Sequence, residues 1–250
     1  MRFHERFYWR LKRWIAPDLR YCQEAFEDTL ESAVDSRSRW LDLGCGHNVL
    51  PPWRSDAERN LTARPRQVVG LDFDLPSLRK HETISQRVRG DISRLPFHDA
   101  TFSVVTSNMV FEHLAEPEAQ LREIHRVLAP GGELIFLTPN TGGYTTLLAR
   151  LVPDFLKARI IQFFEGREEH DVFPTFYRIN SPRRIEQAVK ASGMVTKEIR
   201  LIPSAAQLQK IPPLVVFELI WIRLTMTRLF ARFRTNVIVR CVRPETATGR

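Results

Sequence analysis

Apolar and polar positions fall into blocks along this chain, and the blocks follow two periods. Trp40-Leu41-Asp42-Leu43, Val68-Val69-Gly70-Leu71-Asp72, Phe102-Ser103-Val104-Val105-Thr106-Ser107-Asn108 and Glu133-Leu134-Ile135-Phe136-Leu137-Thr138 are short apolar runs of strand length. Runs of this kind read as strands buried on both faces. Between them lie helical segments: residues 49–66, with an entrance made irregular by Pro51 and Pro52, and Leu121 to Leu128, closed by Ala129-Pro130-Gly131-Gly132. Strands alternating with helices predict βαβ units and a parallel sheet. Beyond them, Ser181-Pro182 leading into Arg183–Ser192 and Gly193 reads as a Ser-capped helix with a glycine stop. Strands are expected to follow at Met194–Leu201 and Asn236–Arg243.

The first strand runs straight into Gly44-Cys45-Gly46. Glycines there permit a tight turn and leave room for a ligand against the backbone. Asp42 supplies a carboxylate near the strand's end. Asp72 closes the second strand, 26 residues beyond Gly46. In dinucleotide folds an acid about 20 residues on accepts the ribose hydroxyls, and the irregular 49–66 segment accounts for the longer spacing. Gly90-Asp91-Ile92-Ser93-Arg94-Leu95-Pro96-Phe97 places another acid and an apolar residue before a turn. A Gly-x-Gly alone is a weak signal, equally met by a plain turn.

The order of these motifs is specific where each piece is not. It resembles the class I S-adenosylmethionine-dependent methyltransferases, of the small-molecule type 11 group that includes quinone-biosynthesis methyltransferases. The resemblance rests on Leu41-Asp42-Leu43-Gly44-Cys45-Gly46, Gly70-Leu71-Asp72, Gly90-Asp91-Ile92 with Leu95-Pro96-Phe97, Phe111-Glu112-His113-Leu114, and Arg122-Glu123-Ile124-His125-Arg126-Val127-Leu128-Ala129-Pro130-Gly131-Gly132. It covers about residues 38–140. It implies an α/β fold: a Rossmann-like seven-stranded sheet, mostly parallel with an antiparallel last strand, and helices on both faces. One domain, 1–250, is expected, comprising an N-terminal helical cap (1–37), a cofactor-binding core (38–140), an acceptor-pocket segment (141–180) and an apolar helical insertion (203–235).

The resemblance also implies roles. Gly44, Cys45 and Gly46 pass under the methionine part of S-adenosylmethionine, and Asp42 helps hold that end. Asp72 accepts both ribose hydroxyls, Phe73 lies against the adenine, Asp91 accepts from the exocyclic amine, and Ile92 packs beside it. Asn108 and Met109 offer carbonyls near the methionine ammonium. Two plainer readings stand beside these: Asp72 as a cap of the next helix, and Asp91 as a turn acid. Asn48 occupies the place of the family's third glycine; asparagine tolerates a left-handed backbone, so the turn can be kept.

Composition changes the picture in two places. The three cysteines, Cys22, Cys45 and Cys241, suggest no disulfide framework and no metal site. A reducing, cytoplasmic setting follows, and the charged N-terminus without a long apolar core gives no sign of a signal peptide. The net charge of +8 is carried by 31 arginines and only 6 lysines. Arginine favours anionic partners, whether nucleic acid, anionic lipid or a phosphorylated substrate, although a solvated arginine-rich surface gives the same count. On a helical projection Arg2, Arg6, Arg10 and Arg13 share one side, and Phe3, Phe7, Leu11 and Trp14 the adjacent one. Such a helix suits a peripheral position on an anionic membrane; equally, it packs over the cofactor cleft.

The link between the last two strands holds Leu214-Val215-Val216-Phe217-Glu218-Leu219-Ile220-Trp221-Ile222-Arg223-Leu224, apolar on through Phe230. Glu218, Arg223 and Arg228 interrupt it, so a clean bilayer span of about 20 residues is not expected. A helix without a polar face must be covered by protein, lipid headgroups or a partner. The resemblance implies an acceptor pocket in the 139–180 region, and Tyr144, Phe155, Phe163, Phe164, Phe173, Phe176 and Tyr177 there suit a small acceptor that is hydrophobic or lipid- or glycan-linked. His113 and His170 are the catalytic candidates, able to orient an acceptor or take its proton; both also read as ordinary turn or surface histidines. Three alternatives differ in class. A nicotinamide dehydrogenase lacks its third glycine here. A nucleic-acid methyltransferase is allowed by charge but has no Asn-Pro-Pro-Tyr-type motif. The third is a non-catalytic methyltransferase-like scaffold binding a membrane or partner. The oligomeric state stays open.

Overall fold

Trp40, Leu41 and Leu43 have no polar face to offer water, and the strand that carries them lies inside a sheet with neighbours on both sides. The computed structural model describes residues 3–151 and 174–245. In chain order the elements are α1 (Phe3–Ile15), α2 (Cys22–Ala33), β1 (Arg39–Leu43), α3 (Ser55–Thr62), β2 (Gln67–Asp72), α4 (Leu75–Lys80), β3 (Gln86–Arg89), β4 (Phe102–Asn108), α5 (Pro117–Val127), β5 (Leu128–Pro139), α6 (Tyr144–Leu151), α7 (Pro182–Ala191), β6 (Val195–Ile202), α8 (Pro212–Thr225) and β7 (Asn236–Val242). Short 3₁₀ turns stand at Pro52–Arg54, Phe111–His113 and Ala231–Phe233.

The seven strands run in the order β3-β2-β1-β4-β5-β7-β6. β3 to β5 pair in parallel, with Leu43 opposite Leu71 and Ser107. β7 is antiparallel to β5. The N–H of Gly131 donates to Arg243 and that of Arg243 to Gly132 at one end, while Asn140 donates to Thr235 at the other. This is the Rossmann-like arrangement the sequence implied. The edge strand β3 was not announced by the pattern, because Gln86-Arg87-Val88-Arg89 contains no apolar run.

Two compact units share the chain. One comprises Ala25–Thr138, Phe176–Arg200 and Ile238–Arg250, and holds most of the sheet. Its core layers Trp40, Leu41, Val105, Leu134 and Phe136, with Phe111 stacked on Phe136 at a centroid distance of 3.8 Å. α5 and α7 pack side by side. Arginine does internal work here. Arg126 reaches Glu123, Asp99 and the carbonyls of Leu95 and Phe97, while Arg243 donates to the carbonyls of His125, Arg126 and Leu128. Part of the arginine excess therefore ties loops to helix ends through the guanidinium's several donors.

The other unit comprises Met1–Glu24, Pro139–Thr175 and Leu201–Val237. α1 and α8 pack together in a core of Tyr8, Ala16, Leu19, Tyr144, Ala206, Val215, Leu219 and Ile222. The apolar insertion does carry a charge on its buried side. Glu218 accepts from the Tyr144 hydroxyl at 2.9 Å and from the N–H groups of Gln207 and Leu208 at 2.8 and 2.7 Å. Three donors satisfy the acid, which is the condition for burying one.

Three expectations change. Ser181 precedes α7 but makes no side-chain cap hydrogen bond; Pro182 opens that helix instead. Asn48 does not adopt a left-handed backbone, and its side-chain amide donates to the Leu50 carbonyl. On α1, Phe7 and Leu11 face the core with buried Tyr8, but Trp14 lies 83% exposed on the arginine side. Arg2 lies outside the described residues. Replacing Glu218 with Ala strands two N–H groups and a hydroxyl, and is expected to destabilise the protein by about 2–4 kcal/mol in urea unfolding. Glu218→Gln, which keeps one acceptor, should cost less.

Candidate functional site

The turn after β1 is built on the end of β2. The N–H groups of Gly44 and Cys45 both donate to the Leu71 carbonyl, at 2.7 and 3.2 Å. Gly44 (φ 67°) and Gly46 (φ 53°) sit in the left-handed region, where a side chain is strained. A Cβ on Gly44 would stand 2.3 Å from Val110 Cγ2, whereas one on Gly46 meets nothing within 4 Å. Gly44 is thus packed from below, and Gly46 faces open space.

Asp72 is buried where the two strand ends meet. Its Oδ2 accepts from Gly46 N and its Oδ1 from Asp74 N, each at 2.8 Å. Each carboxylate oxygen has a second lone pair, so the clamped group can still accept two hydroxyls. The helix cap proposed as a plainer role falls to Asp74, whose side chain accepts from Ser77 N at 3.1 Å. A hydrogen bond from the Ser77 side chain, helped by this backbone one, holds the Asp74 carboxyl below its ordinary range. Phe73, between the two acids, is 55% exposed, and Arg89 holds its carbonyl.

Asp91 is exposed and spends one oxygen on Ser93 N at 2.8 Å, so the turn role is real while the second oxygen stays open. Ile92 is buried beside it. Asn108 and Met109 end β4; Met109 takes φ 55°, unusual for a non-glycine, and donates its N–H to Leu137. Strain of this kind concentrates at functional sites.

Asp42 behaves differently from the implied role. It is 3% exposed and accepts from Thr106 Oγ1, which itself accepts from Trp40 Nε1 at 2.6 Å. Burial pushes its carboxyl up to about 7, against the lowering effect of the Thr106 bond. Its side chain belongs to a network inside the sheet. Cys45 is also buried, and burial pushes its thiol up.

His113 ends the 3₁₀ turn after β4 and is partly exposed. Its neighbour Glu112 is part of the Phe111–Leu114 motif, which gives it no role. It is buried, accepts from Thr138 Oγ1 at 3.0 Å, and its carbonyl accepts the N–H groups of Phe176 and Tyr177. Asn180 Nδ2 donates to the same Thr138 oxygen at 2.6 Å. This network anchors the segment returning after residue 174 against the end of β4. His170, with Phe155, Phe163, Phe164 and Phe173, lies outside the described residues. Among the described residues, no group of three or more His, Cys, Asp or Glu side chains comes together as a metal site.

An open α/β sheet with a glycine turn and an acid at adjacent strand ends defines a nucleotide-type site at the carboxyl edge. Comparison with known proteins narrows the class. Residues 41–136 match the family described as "Methyltransferase domain". The chain is 36% identical over 111 residues to demethylmenaquinone methyltransferase of Lactiplantibacillus plantarum, covering 41% of this chain and 45% of that protein. It is 33% identical over 110 residues to malonyl-[acyl-carrier protein] O-methyltransferase of Pseudescherichia vulneris, covering 43% and 41%. The chain thus matches about half the length of these curated relatives or less. An S-adenosylmethionine-dependent methyltransferase from Mesorhizobium loti shares the fold, with TM-score 0.51 and 16% identity over 86% of this chain and 96% of that one. The same fold is found in a crystallised cyclase, with TM-score 0.55 and 14% identity, covering 89% and 82% of the two chains. Residues 41–136 thus match a methyltransferase domain, and S-adenosylmethionine is the cofactor that such a domain implies.

Two measurements test the site. Asp72→Ala removes the clamp and the hydroxyl acceptor together, and should weaken S-adenosylmethionine binding by roughly 1–3 kcal/mol in calorimetry. Unchanged affinity would remove the ribose role. For Asp42, only the folded state keeps its proton between the ordinary carboxyl range near 3.8 and the raised value of about 7. Stability should therefore fall as pH rises through that window and level off above it, by at most about 1.4 kcal/mol per pH unit. Asp42→Asn should flatten that decline in urea unfolding at pH 5 and 8.

Proposed function

We propose that this protein transfers the S-adenosylmethionine methyl group directly to a small hydrophobic acceptor, lipid- or glycan-linked, met at a membrane surface. The observation that carries the cofactor half is the Asp72 carboxylate, held by Gly46 and Asp74 with an acceptor lone pair left on each oxygen. Gly46 faces open space beside it, where a bulky ligand can lie, and exposed Phe73 offers an aromatic face for a base. Asp91 has one oxygen left for an exocyclic amine.

When bound, the cofactor supplies a methyl group on a positively charged sulfur. An acceptor lone pair forms the new bond to the methyl carbon while the carbon–sulfur electron pair stays with sulfur as a neutral thioether. The protein's task is alignment. His113, in the 3₁₀ turn that follows β4, orients the acceptor or takes the proton it sheds. Glu112 keeps that turn in place through its hydrogen bonds to Thr138, Phe176 and Tyr177. His170 remains a second candidate base. The hydrophobic acceptor rests on the aromatic content of the 139–180 segment, and the relatives named for a menaquinone precursor and an acyl carrier fit it.

Incubation with methyl-labelled cofactor and total cell extract, followed by phase separation, tests the proposal. Label is expected in the organic phase, on a product heavier by one methylene in mass spectrometry. His113→Ala should lower kcat while leaving cofactor affinity intact. Label recovered in nucleic acid instead would overturn the acceptor class, and cofactor binding with no transfer to any fraction would favour a binding scaffold.

A further inference from the structure

α8 is apolar on both its buried and its outward side. Val215, Leu219 and Ile222 pack inward with the satisfied Glu218. On the opposite side Leu214, Phe217, Ile220 and Leu224 stand between 40% and 69% exposed. Their spacing of three, three and four residues puts them on one stripe of the helix. Leu229, just beyond, is 79% exposed. Single exposed apolar residues need no explanation, but a continuous stripe does. The helix has 14 residues, and no described helix is long and apolar enough to cross a bilayer.

Charge indicates what covers the stripe. Exposed Lys210 precedes it, exposed Arg223 lies between Ile220 and Leu224, and exposed Arg228 and Arg232 follow. Arg223 is engaged with Asp18 at 3.3 Å, and the Arg232 guanidinium lies over Phe233 at 4.7 Å. On α1 of the same unit the outward face consists of Arg6, Trp9, Arg10, Arg13 and Trp14, all exposed. Tryptophan beside arginine suits the headgroup layer of a membrane, where the ring is half wet and the cation meets anionic lipid.

We infer that the outward stripe of α8, flanked by basic residues and joined by the arginine–tryptophan face of α1, docks this protein on an anionic lipid surface. The inference deepens the proposed action on a lipid-linked acceptor by naming the surface that brings the protein to it. The apolar side chains enter the acyl boundary, and the arginines rest among phosphates. Because Tyr8 of α1 is fully buried, removing the helix would damage the core, so point substitutions are the proper probe.

Co-sedimentation with phosphatidylcholine vesicles containing about one third phosphatidylserine gives the test. Wild type should bind these, bind pure phosphatidylcholine vesicles far less, and release as salt screens the charges. Phe217→Ser with Leu229→Ser should weaken binding roughly tenfold or more. Arg6→Glu with Arg10→Glu and Arg13→Glu should weaken it and remove most of its salt dependence. All substituted side chains are exposed, so each variant should retain wild-type circular dichroism and S-adenosylmethionine affinity, and that affinity is read separately from vesicle binding. The inference is overturned if wild type ignores the anionic vesicles, if the variants bind as wild type does, or if the Phe217/Leu229 variant changes a dimer into a monomer without altering lipid binding. Vesicle binding without methyl transfer would uphold the docking face and defeat only the proposed reaction.

Discussion

The Asp72 carboxylate accepts one N–H from the glycine turn after β1 and another from the entrance of α4. Through these two bonds one acid sets the distance between the loops that follow adjacent strands. The parallel register of Leu43 with Leu71 brings the loops into reach, and the Leu71 carbonyl takes the two preceding N–H groups of the turn. A carboxylate oriented by backbone amides needs little reorganisation to accept further donors. Moving it would release Gly46 and the ligand acceptor at once. The open side of Gly46 and the exposed ring of Phe73 have value only while that clamp holds.

The other buried acids carry no such opening. Glu218 takes three donors inside its unit, Glu58 takes the N–H of Leu50 and the hydroxyl of Thr83, and Glu112 takes Thr138. Asp42 has a single hydroxyl partner, which does not offset its burial, so burial holds its proton to a higher pH. Donor supply, more than burial alone, separates an acid that organises a loop from one better left neutral. Arginine follows a parallel division. Arg126, Arg234 and Arg243 donate to backbone carbonyls, while Arg6, Arg10 and Arg13 face water. A composition count cannot tell these groups apart, since both use the same side chain.

Most of the strands, the glycine turn and the acid of β2 were legible in the chain because each depends on local sequence: apolar runs make buried strands, and glycine takes the turn without strain. The short edge strand Gln86–Arg89 was not, since an edge strand pairs through its backbone and its side chains need no apolar pattern. The cap at Ser181 and the left-handed turn at Asn48 read well as motifs, yet other partners took their places. Local propensity is a weak preference that packing overrides.

By itself the sequence determined the class of the fold, the glycine turn after β1 and the apolar character of α8. The partners of that helix were decided only by tertiary structure. Its sequence shows hydrophobic residues nearly all round, and periodicity alone cannot say which side is covered. Packing on Tyr8, Tyr144 and Leu19 consumed one side and left Leu214, Phe217, Ile220 and Leu224 outward. The same holds for Asp42 and Asp72, two acids at the ends of neighbouring strands. One faces into the sheet towards Thr106 and the other towards the loop amides, a difference set by which donors the fold brings within reach.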